Sequence, residues 1–494
     1  MRSNEIGTSV VRMFDDLLAA LARMDRDVSD AERVDQLTAL EGVKAACAAA
    51  QARITADFAE SQEEVAAAWR QRAKECADDN DFEGWRAARE QARRATVSDP
   101  LAVSDSGQAG RRRFRRRRGA DLGVAGQVAL ARRESPSRGT RHLTMALALV
   151  RHLPRTFAAL QAGALSEWRA EIVVRETAVL RDDQRTAVDA ELFDGLGTEG
   201  VGQLGDRELE RRLRAIAYRL DAESVLARAR GAETERRVTI RPAPDAMCYV
   251  TGYLPLAQGV AVHAALTRAA ATARAEGDER SAGQLMADTL VERVTGQASA
   301  KAVPVEVQVV ITDRALFSAT FGTTDATPAR VPGYGSVPAA WARGLLGESD
   351  ARTWLRRLST APEDGTLVAM DSTRRVFDGA LRRFLIARDG TCRTPWCDAP
   401  VRHIDHVVDH SSGGPTSADN GQGLCVRCNH TKQLPGWRAR PEAAPPPGEW
   451  RTHTVVTLTP TGHRYRSLAP PVLPSGPPDE PSFLERHLET VLAA

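Results

Sequence analysis

The sequence predicts an α+β protein: a mostly helical N-terminal domain, a mixed α/β middle and a small C-terminal module built around cysteine and histidine. Three observations carry that expectation. Through most of the first 230 positions, apolar residues recur at three- and four-residue steps, the period of a helix. Near residue 236 the pattern changes to short alternating runs, the period of strands. Beyond residue 390, Cys392 with Cys397 and Cys425 with Cys428 bracket a stretch rich in Asp, His, Asn and Gly.

Each element follows in order. Val10, Phe14, Leu17, Leu18, Leu21 and Met24 draw one apolar stripe. Ser29 followed by Glu32 is a capping-box signature that opens a second helix. Its expected core stripe is Val34, Leu37, Leu40, Val43, Cys47, Ala50, Ile54 and Phe58. A charged, poorly periodic segment runs from about residue 83 to residue 119. It ends in RRRFRRRR at residues 111–118, seven cationic side chains in eight positions. Helices resume over residues 122–229, punctuated by SPSRGT, Pro154 and Gly163. RRVTIRPAPDAMCYVTGYLP then predicts two strands joined by a Pro-Asp turn. Two helices follow, the second near residues 286–294. VPVEVQVVITD at residues 303–313 predicts another strand, and the Gly, Thr and Pro of residues 322–338 predict a surface loop. Past the cysteines, PEAAPPPGEW is a connector, and THTVVTLTPTGHRYRS predicts a hairpin turning at Pro460, Thr461 and Gly462. The Pro-rich tail is expected to be disordered. The expected domains are residues 1–230, 231–370, 371–440 and 441–494.

Composition narrows the function classes. The 494 residues suffice for roughly two or three domains. The 42% hydrophobic and 27% charged content is that of an ordinary globular protein. The N-terminal segment carries acids within its apolar run, which fits an amphipathic helix rather than an export signal. No apolar run reaches the ~20 residues of a membrane span, so no membrane partner is expected. Seven cysteines, an odd number, argue against a secreted disulfide scaffold and for a cytoplasmic protein. Cys47, Cys76 and Cys248 are expected to be reduced and packed. Net charge is only +2, yet residues 374–440 hold ten Arg and one Lys against six Asp, a local basic field suited to phosphates.

Two thiolate pairs about 30 residues apart suit a tetrahedral Zn²⁺. Four thiolates leave no open position, so this zinc is structural, and any catalytic ion is separate. Between and beyond the pairs lie Asp405, His406, Asn420, Asn429 and Lys432. A carboxylate, an imidazole and an amide oxygen are what a metal-assisted hydrolase needs as ligand, base and second ligand.

The run CRTPWCDAPVRHIDHVVDHSSGGPTSADNGQGLCVRCNHTK resembles the HNH endonuclease motif over roughly residues 374–437. GQVALARRESPSRGTRHLTMALALVRHLPRTFAALQAGALSEWRAEIV resembles the actinobacterial helical domain of unknown function number 222, which commonly precedes an HNH module. The first resemblance implies a ββα-metal module, with two strands and a helix around one divalent ion. It implies Asp405 as metal ligand, His406 as general base, Asn420 as the residue fixing the supporting loop, and Asn429 as second ligand. Where the motif name expects a final His, this chain has Asn429 and then His430, so either could meet the metal. His403, two residues before Asp405, could join the same shell. With oxygen ligands the ion is expected to be Mg²⁺ or Mn²⁺. Arg382, Arg383, Arg388 and Lys432 are candidates for DNA phosphates.

The expected function is thus a metal-dependent DNA endonuclease, with a homodimer as one route to cutting both strands. The alternative is a non-cleaving DNA-binding or structural zinc module that serves as a partner platform. The two differ in whether Asp405, His406, Asn420 and Asn429 have work to do, since a folding module needs only the cysteines.

Overall fold

The computed structural model describes residues 2–95, 122–297, 309, 311, 315–316, 327–331, 335–348, 377, 379–442 and 452–470. It is mostly helical with small antiparallel sheets. The chain divides into two compact units, Met1–Ala56 with Met145–Ala222, and Asp57–Thr144 with Glu223–Ala494. The Arg run at residues 111–118 and the Pro-rich tail lie outside the described residues, as does most of the strand expected at residues 303–313.

Helices α1 (Arg2–Ala22), α2 (Asp30–Asp78) and α3 (Phe82–Ala95) open the chain. The capping box starts α2: Ser29 N donates to Glu32 Oε2 at 2.8 Å, and Glu32 N to Ser29 Oγ at 3.3 Å. The buried face of α2 is not the expected stripe. Val34, Leu37 and Ile54 are 60%, 64% and 66% exposed, while Ala45, Ala48, Ala49, Ala52, Ala56 and Ala59 are buried. Alanine lets a neighbouring backbone approach closely and loses no side-chain entropy on burial, so the small face packs and the large one does not. Cys47 and Cys248 are exposed, contrary to expectation, and only Cys76 of that trio is buried.

Next come α4 (Leu122–Ala131), α5 (Pro136–His152), α6 (Pro154–Gln161), α7 (Glu167–Thr177), α8 (Asp182–Phe193), α9 (Gly197–Gln203), α10 (Asp206–Leu220) and α11 (Ala222–Glu233). The expected breakers act as expected. Pro136 and Pro154 open helices, where a missing N–H costs nothing. Gly163 (φ 77°) follows α6, and a Cβ there would lie 2.8 Å from Gly42 Cα. Leu147, Leu149, Leu153, Leu160, Ile172 and Leu213 are fully buried in this unit.

In the second unit, β1 (Arg237–Pro242) and β2 (Cys248–Tyr253) form the expected hairpin, with Asp245 and Ala246 at positive φ in its turn. Helices α12 (Leu256–Ala275) and α13 (Ala282–Thr295) pack on each other. Where a loop was expected, β3 (Ala329–Val331) and β4 (Gly335–Val337) pair before α14 (Ala339–Glu348). Ala329, Val331, Val337 and Ala342 make a small apolar cluster that holds this segment in place.

The C-terminal module contains α15 (Gly379–Asp389), β5 (His403–His406), β6 (Gly421–Leu424) and α16 (Val426–Lys432). A three-stranded sheet follows, β7 (Arg438–Pro441), β8 (Thr454–Leu458) and β9 (Arg464–Leu468) in that order. The last two strands are the predicted hairpin.

Candidate functional site

The β5–β6 ladder decides what each side chain faces. Its register pairs His403 with Leu424, Ile404 with Gly423, Asp405 with Gln422 and His406 with Gly421. Alternation sends Ile404 and His406 to one side, His403 and Asp405 to the other. The first side packs on α15, and the two glycines make that fit. A Cβ on Gly421 would lie 2.6 Å from Leu385, and one on Gly423 would lie 2.7 Å from Val401. Phe377, Leu381, Phe384, Leu385 and Ala418 form the apolar core there, with Ile404 against it.

Arg388 and Asp389 lock α15 to β6. The Arg388 guanidinium donates to Ala418 O at 2.6 Å, Gly421 O at 2.7 Å and Asp389 Oδ1 at 2.8 Å, and Asp389 Oδ2 accepts from Gly423 N at 2.6 Å. Expected at DNA phosphates, Arg388 is instead fully enclosed, its charge spent on this clamp. Arg382 and Arg383, on the same helix, are exposed.

The four cysteines come from two turns. Cys392 and Cys397 flank a knuckle in which Cys397 N donates to Thr394 O at 3.0 Å, and Trp396 takes positive φ. Cys425 caps α16, and Cys428 sits in its first turn. The sulfurs lie within 4.8 Å of one another, with Cys397 at 3.8 Å from Cys425 and 3.5 Å from Cys428. A ZnS₄ tetrahedron with 2.3 Å bonds has edges of about 3.8 Å, so the donor set fits zinc. Among the described residues, this is the one group of three or more His, Cys, Asp or Glu side chains that could hold a metal. Such crowding forbids four independent thiolates: hydrogen bonds from Cys392, Cys397 and Cys428 drive the Cys425 thiol down, while those to Cys392 push Cys428 up.

On the other side, β5 and α16 bring His403, Asp405, Asn429 and Lys432 together. Asn429 Nδ2 meets His403 Nδ1 at 2.7 Å, which leaves Asn429 Oδ1 buried without a hydrogen-bond partner. An orphaned buried acceptor costs about 1–3 kcal/mol, and a hard cation would satisfy it. The donor types suit a hard cation: Asp405 offers a carboxylate on the same side of β5 as His403, whose contact orients the Asn429 amide. His430 is exposed. Lys432, expected at phosphates, is turned inward and donates to Asp405 and Asp409.

His406 lies at the strand end, its ring 4.5 Å from that of Phe377 and 5.5 Å from that of His410. Its Nε2 is 2.9 Å from Thr416 Oγ1. Burial lowers its pKa below the ordinary imidazole value, ahead of the opposing pull of Asp405. The loop from β5 to β6 is held by Asn420, whose Oδ1 accepts from Val408 N at 2.8 Å and whose Nδ2 donates to Val408 O and Pro415 O.

Sequence reasoning missed Thr416, Asp409 and the Arg388–Asp389 clamp. It placed a helix from residue 122 but not its role: α4 is buried along residues 123–130 and backs α16. A Cβ on Gly126 would lie 3.2 Å from Thr431 and Trp437, and Gln127 Oε1 accepts from Thr461 Oγ1 at 2.6 Å. Arg427 of α16 also donates to Thr140. An all-round apolar helix such as GVAGQVAL signals deep burial, but not against what.

Two families match the chain. Domain of unknown function 222 matches residues 83–389, and the HNH endonuclease family matches residues 392–433. No curated protein and no solved structure matches. The first match spans more than half of the 494 residues and takes in α4 and α15, the second the cysteines, β5, β6 and α16; the chain belongs to the domain of unknown function 222 family and carries an HNH endonuclease domain after it.

Proposed function

We propose that this protein is a metal-dependent DNA endonuclease that hydrolyses phosphodiester bonds to 5′-phosphate and 3′-hydroxyl ends. The observation that carries this reading is the orphaned Asn429 Oδ1 on the side of β5 that carries Asp405, with His406, its pKa lowered by burial, at the end of the same strand. A folding-only zinc module has no use for any of the three.

Mg²⁺ or Mn²⁺ held by Asp405 and Asn429 would supply positive charge against the phosphoryl oxygens and the departing 3′ oxygen. His406 supplies the base. In the tautomer that donates Nε2–H to Thr416 Oγ1, 2.9 Å away, Nδ1 keeps its lone pair and takes the proton of the attacking water. Phe377 against the imidazole keeps the base dry and uncharged near pH 7. Asn420 acts through the loop, fixing Val408 and so the strand end that carries His406. The structural zinc holds β6 and the start of α16. Exposed Arg382 and Arg383 are suited to backbone phosphates. Cutting both strands with one site per chain uses either a homodimer or two sequential events. No helix among the described residues is long and apolar enough to cross a membrane, and a cytoplasmic location is part of this reading.

The second reading, a module that binds DNA without cutting, has one observation in its favour: Lys432 already neutralises Asp405. Nicking of supercoiled plasmid separates the two. The nuclease reading expects Mg²⁺- or Mn²⁺-dependent nicking that His406→Ala lowers by about 10²–10⁴-fold, the worth of a general base, with DNA affinity nearly unchanged. Wild-type nicking by His406→Ala would remove His406 as the base, and no nicking by the native protein would favour the second reading.

A further inference from the structure

Lys432 stands where a cation is wanted. Its ammonium donates to Asp405 Oδ2 at 2.8 Å, to the carbonyl oxygen of His406 at 2.5 Å and to Asp409 Oδ1 at 2.7 Å. Three N–H donors meet three oxygens, which exhausts the ammonium's hydrogen-bonding capacity. The side chain is only 10% exposed. The residue type is itself informative. Among 67 lysines and arginines only four are lysine, so arginine is this chain's ordinary cation. A planar guanidinium presents its donors in a fixed fork, whereas an ammonium is a compact point charge. Oxygens converging from a carboxylate, a main-chain carbonyl and a second carboxylate make a seat for a small, nearly spherical cation. One helical turn earlier on the same helix stands Asn429, whose Oδ1 lacks a donor.

We propose that Lys432 is a built-in occupant of the Asp405 side of the catalytic cation seat, and that a divalent ion enters by displacing its ammonium from Asp405. The inference rests on the nuclease reading above and adds two residues to it. Asp409, half-exposed at the rim, keeps hold of the displaced ammonium. From there Lys432 is in position to meet a DNA phosphate, so that ion and DNA each favour the other's binding. Without DNA, the seat is filled by the protein's own charge and ion affinity is low.

The test uses full-length, zinc-loaded protein without DNA. Mn²⁺ binding is followed by the paramagnetic resonance of free Mn²⁺, and amine acetylation is read in parallel by peptide mass spectrometry. With so few lysines the pattern is simple, and exposed Lys44 serves as the reference. Lys432 should be protected in the absence of Mn²⁺ and label several-fold faster at saturation, with Lys44 unchanged. Lys432→Gln, which removes one positive charge from the seat, should bind Mn²⁺ about tenfold more tightly. Should that variant lose zinc, labelling of the native protein still decides. Mn²⁺ binding with Lys432 still protected would overturn the inference alone, as would unchanged affinity in a folded Lys432→Gln. No Mn²⁺ binding at all would overturn the cation site of the nuclease reading and the inference with it.

Discussion

The helical unit of Met1–Ala56 with Met145–Ala222 and the cysteine-bearing module of residues 379–442 are held together by different forces. The first buries Leu147, Leu149, Leu153, Leu160, Ile172, Leu209 and Leu213 completely, and its stability is mainly apolar area removed from water. Its buried Asp189 is a local device: the carboxylate accepts from Arg155 N and Thr156 N, capping α6 where Leu153 cannot. The module buries Arg388, Asp389, Arg393, Asn420 and Gln422 alongside four cysteines. Its cohesion is directional and charged, hence dependent on pH and, with zinc on the four thiolates, on metal in ways the leucine core is not. A small module cannot enclose enough apolar surface to hold an active site rigidly, and ligand bonds and charged clamps do so in fewer residues.

The contrast is broken most severely by removing metal. Chelation of zinc, or Cys428→Ser, should unfold the module while helical circular dichroism largely survives. Zinc supplies on the order of 10 kcal/mol to such folds. Elemental analysis that finds no zinc in native protein would count against the four-thiolate site. Next in size is the clamp. Arg388→Met takes one of the two arginines from buried Asp389, Arg393 remaining 3.6 Å away, and leaves Ala418 O and Gly421 O without their donor, at about 1–3 kcal/mol for each carbonyl. It should also lower zinc retention, because Asp389 holds Gly423 N beside Cys425. Leu160→Ala in the helical unit should cost a comparable 2–5 kcal/mol yet leave zinc content unchanged. Equal zinc loss in both would mean the two regions do not differ as described.

A smaller effect distinguishes them by pH. His453 Nε2 donates to Asp419 O at 2.8 Å, tying the start of β8 to the loop that carries Asn420. Burial, aided by the charges of Arg388 and Arg393, lowers its pKa to about 4. Because the folded value lies below the unfolded one, the unfolded chain takes the proton first. This stabilisation is fully present above about pH 6.5 and is lost as pH falls toward 4. Melting of the module should therefore drop across that window, and His453→Gln should shallow the drop measurably against the native protein. An identical profile in the variant would exclude His453 as a source of acid sensitivity. The smallest effect is on DNA. Arg382→Gln with Arg383→Gln should reduce the salt slope of binding by about 2 without moving zinc content or the pH profile. An unchanged slope would take α15 off the DNA-binding face.

The site was unevenly legible. Asp405 and His406 stand on opposite faces of β5 because adjacent residues of a strand must, and Asn420 braces the loop beside them. The expected phosphate ligands divided differently. Arg382 and Arg383 are exposed, but Arg388, five or six positions on, is turned inward by carbonyls at Ala418 and Gly421. Nothing in an arginine's own neighbourhood distinguishes these outcomes. The same holds for α2, where both an aliphatic stripe and an alanine stripe satisfy the helical period, and closeness of packing chooses the alanines.

What the sequence determined by itself is whatever a few consecutive residues can encode: the Ser29 capping box, the helix breaks at Pro154 and Gly163, the hairpins, the paired cysteines and the Asp-His alternation. These depend on backbone period, turn chemistry and ligand count, and all three are local. Only the tertiary structure decided that Lys432 reaches Asp405 and Asp409, that Arg388 is a clamp, and that Gly126 on α4 backs Thr431 on α16. Arg427 and Thr140, 287 positions apart, meet in the same place. A long charged side chain goes to whichever acceptor the fold presents, and the burial of a given face is set by what packs on it. Neither is a property of the segment that carries it.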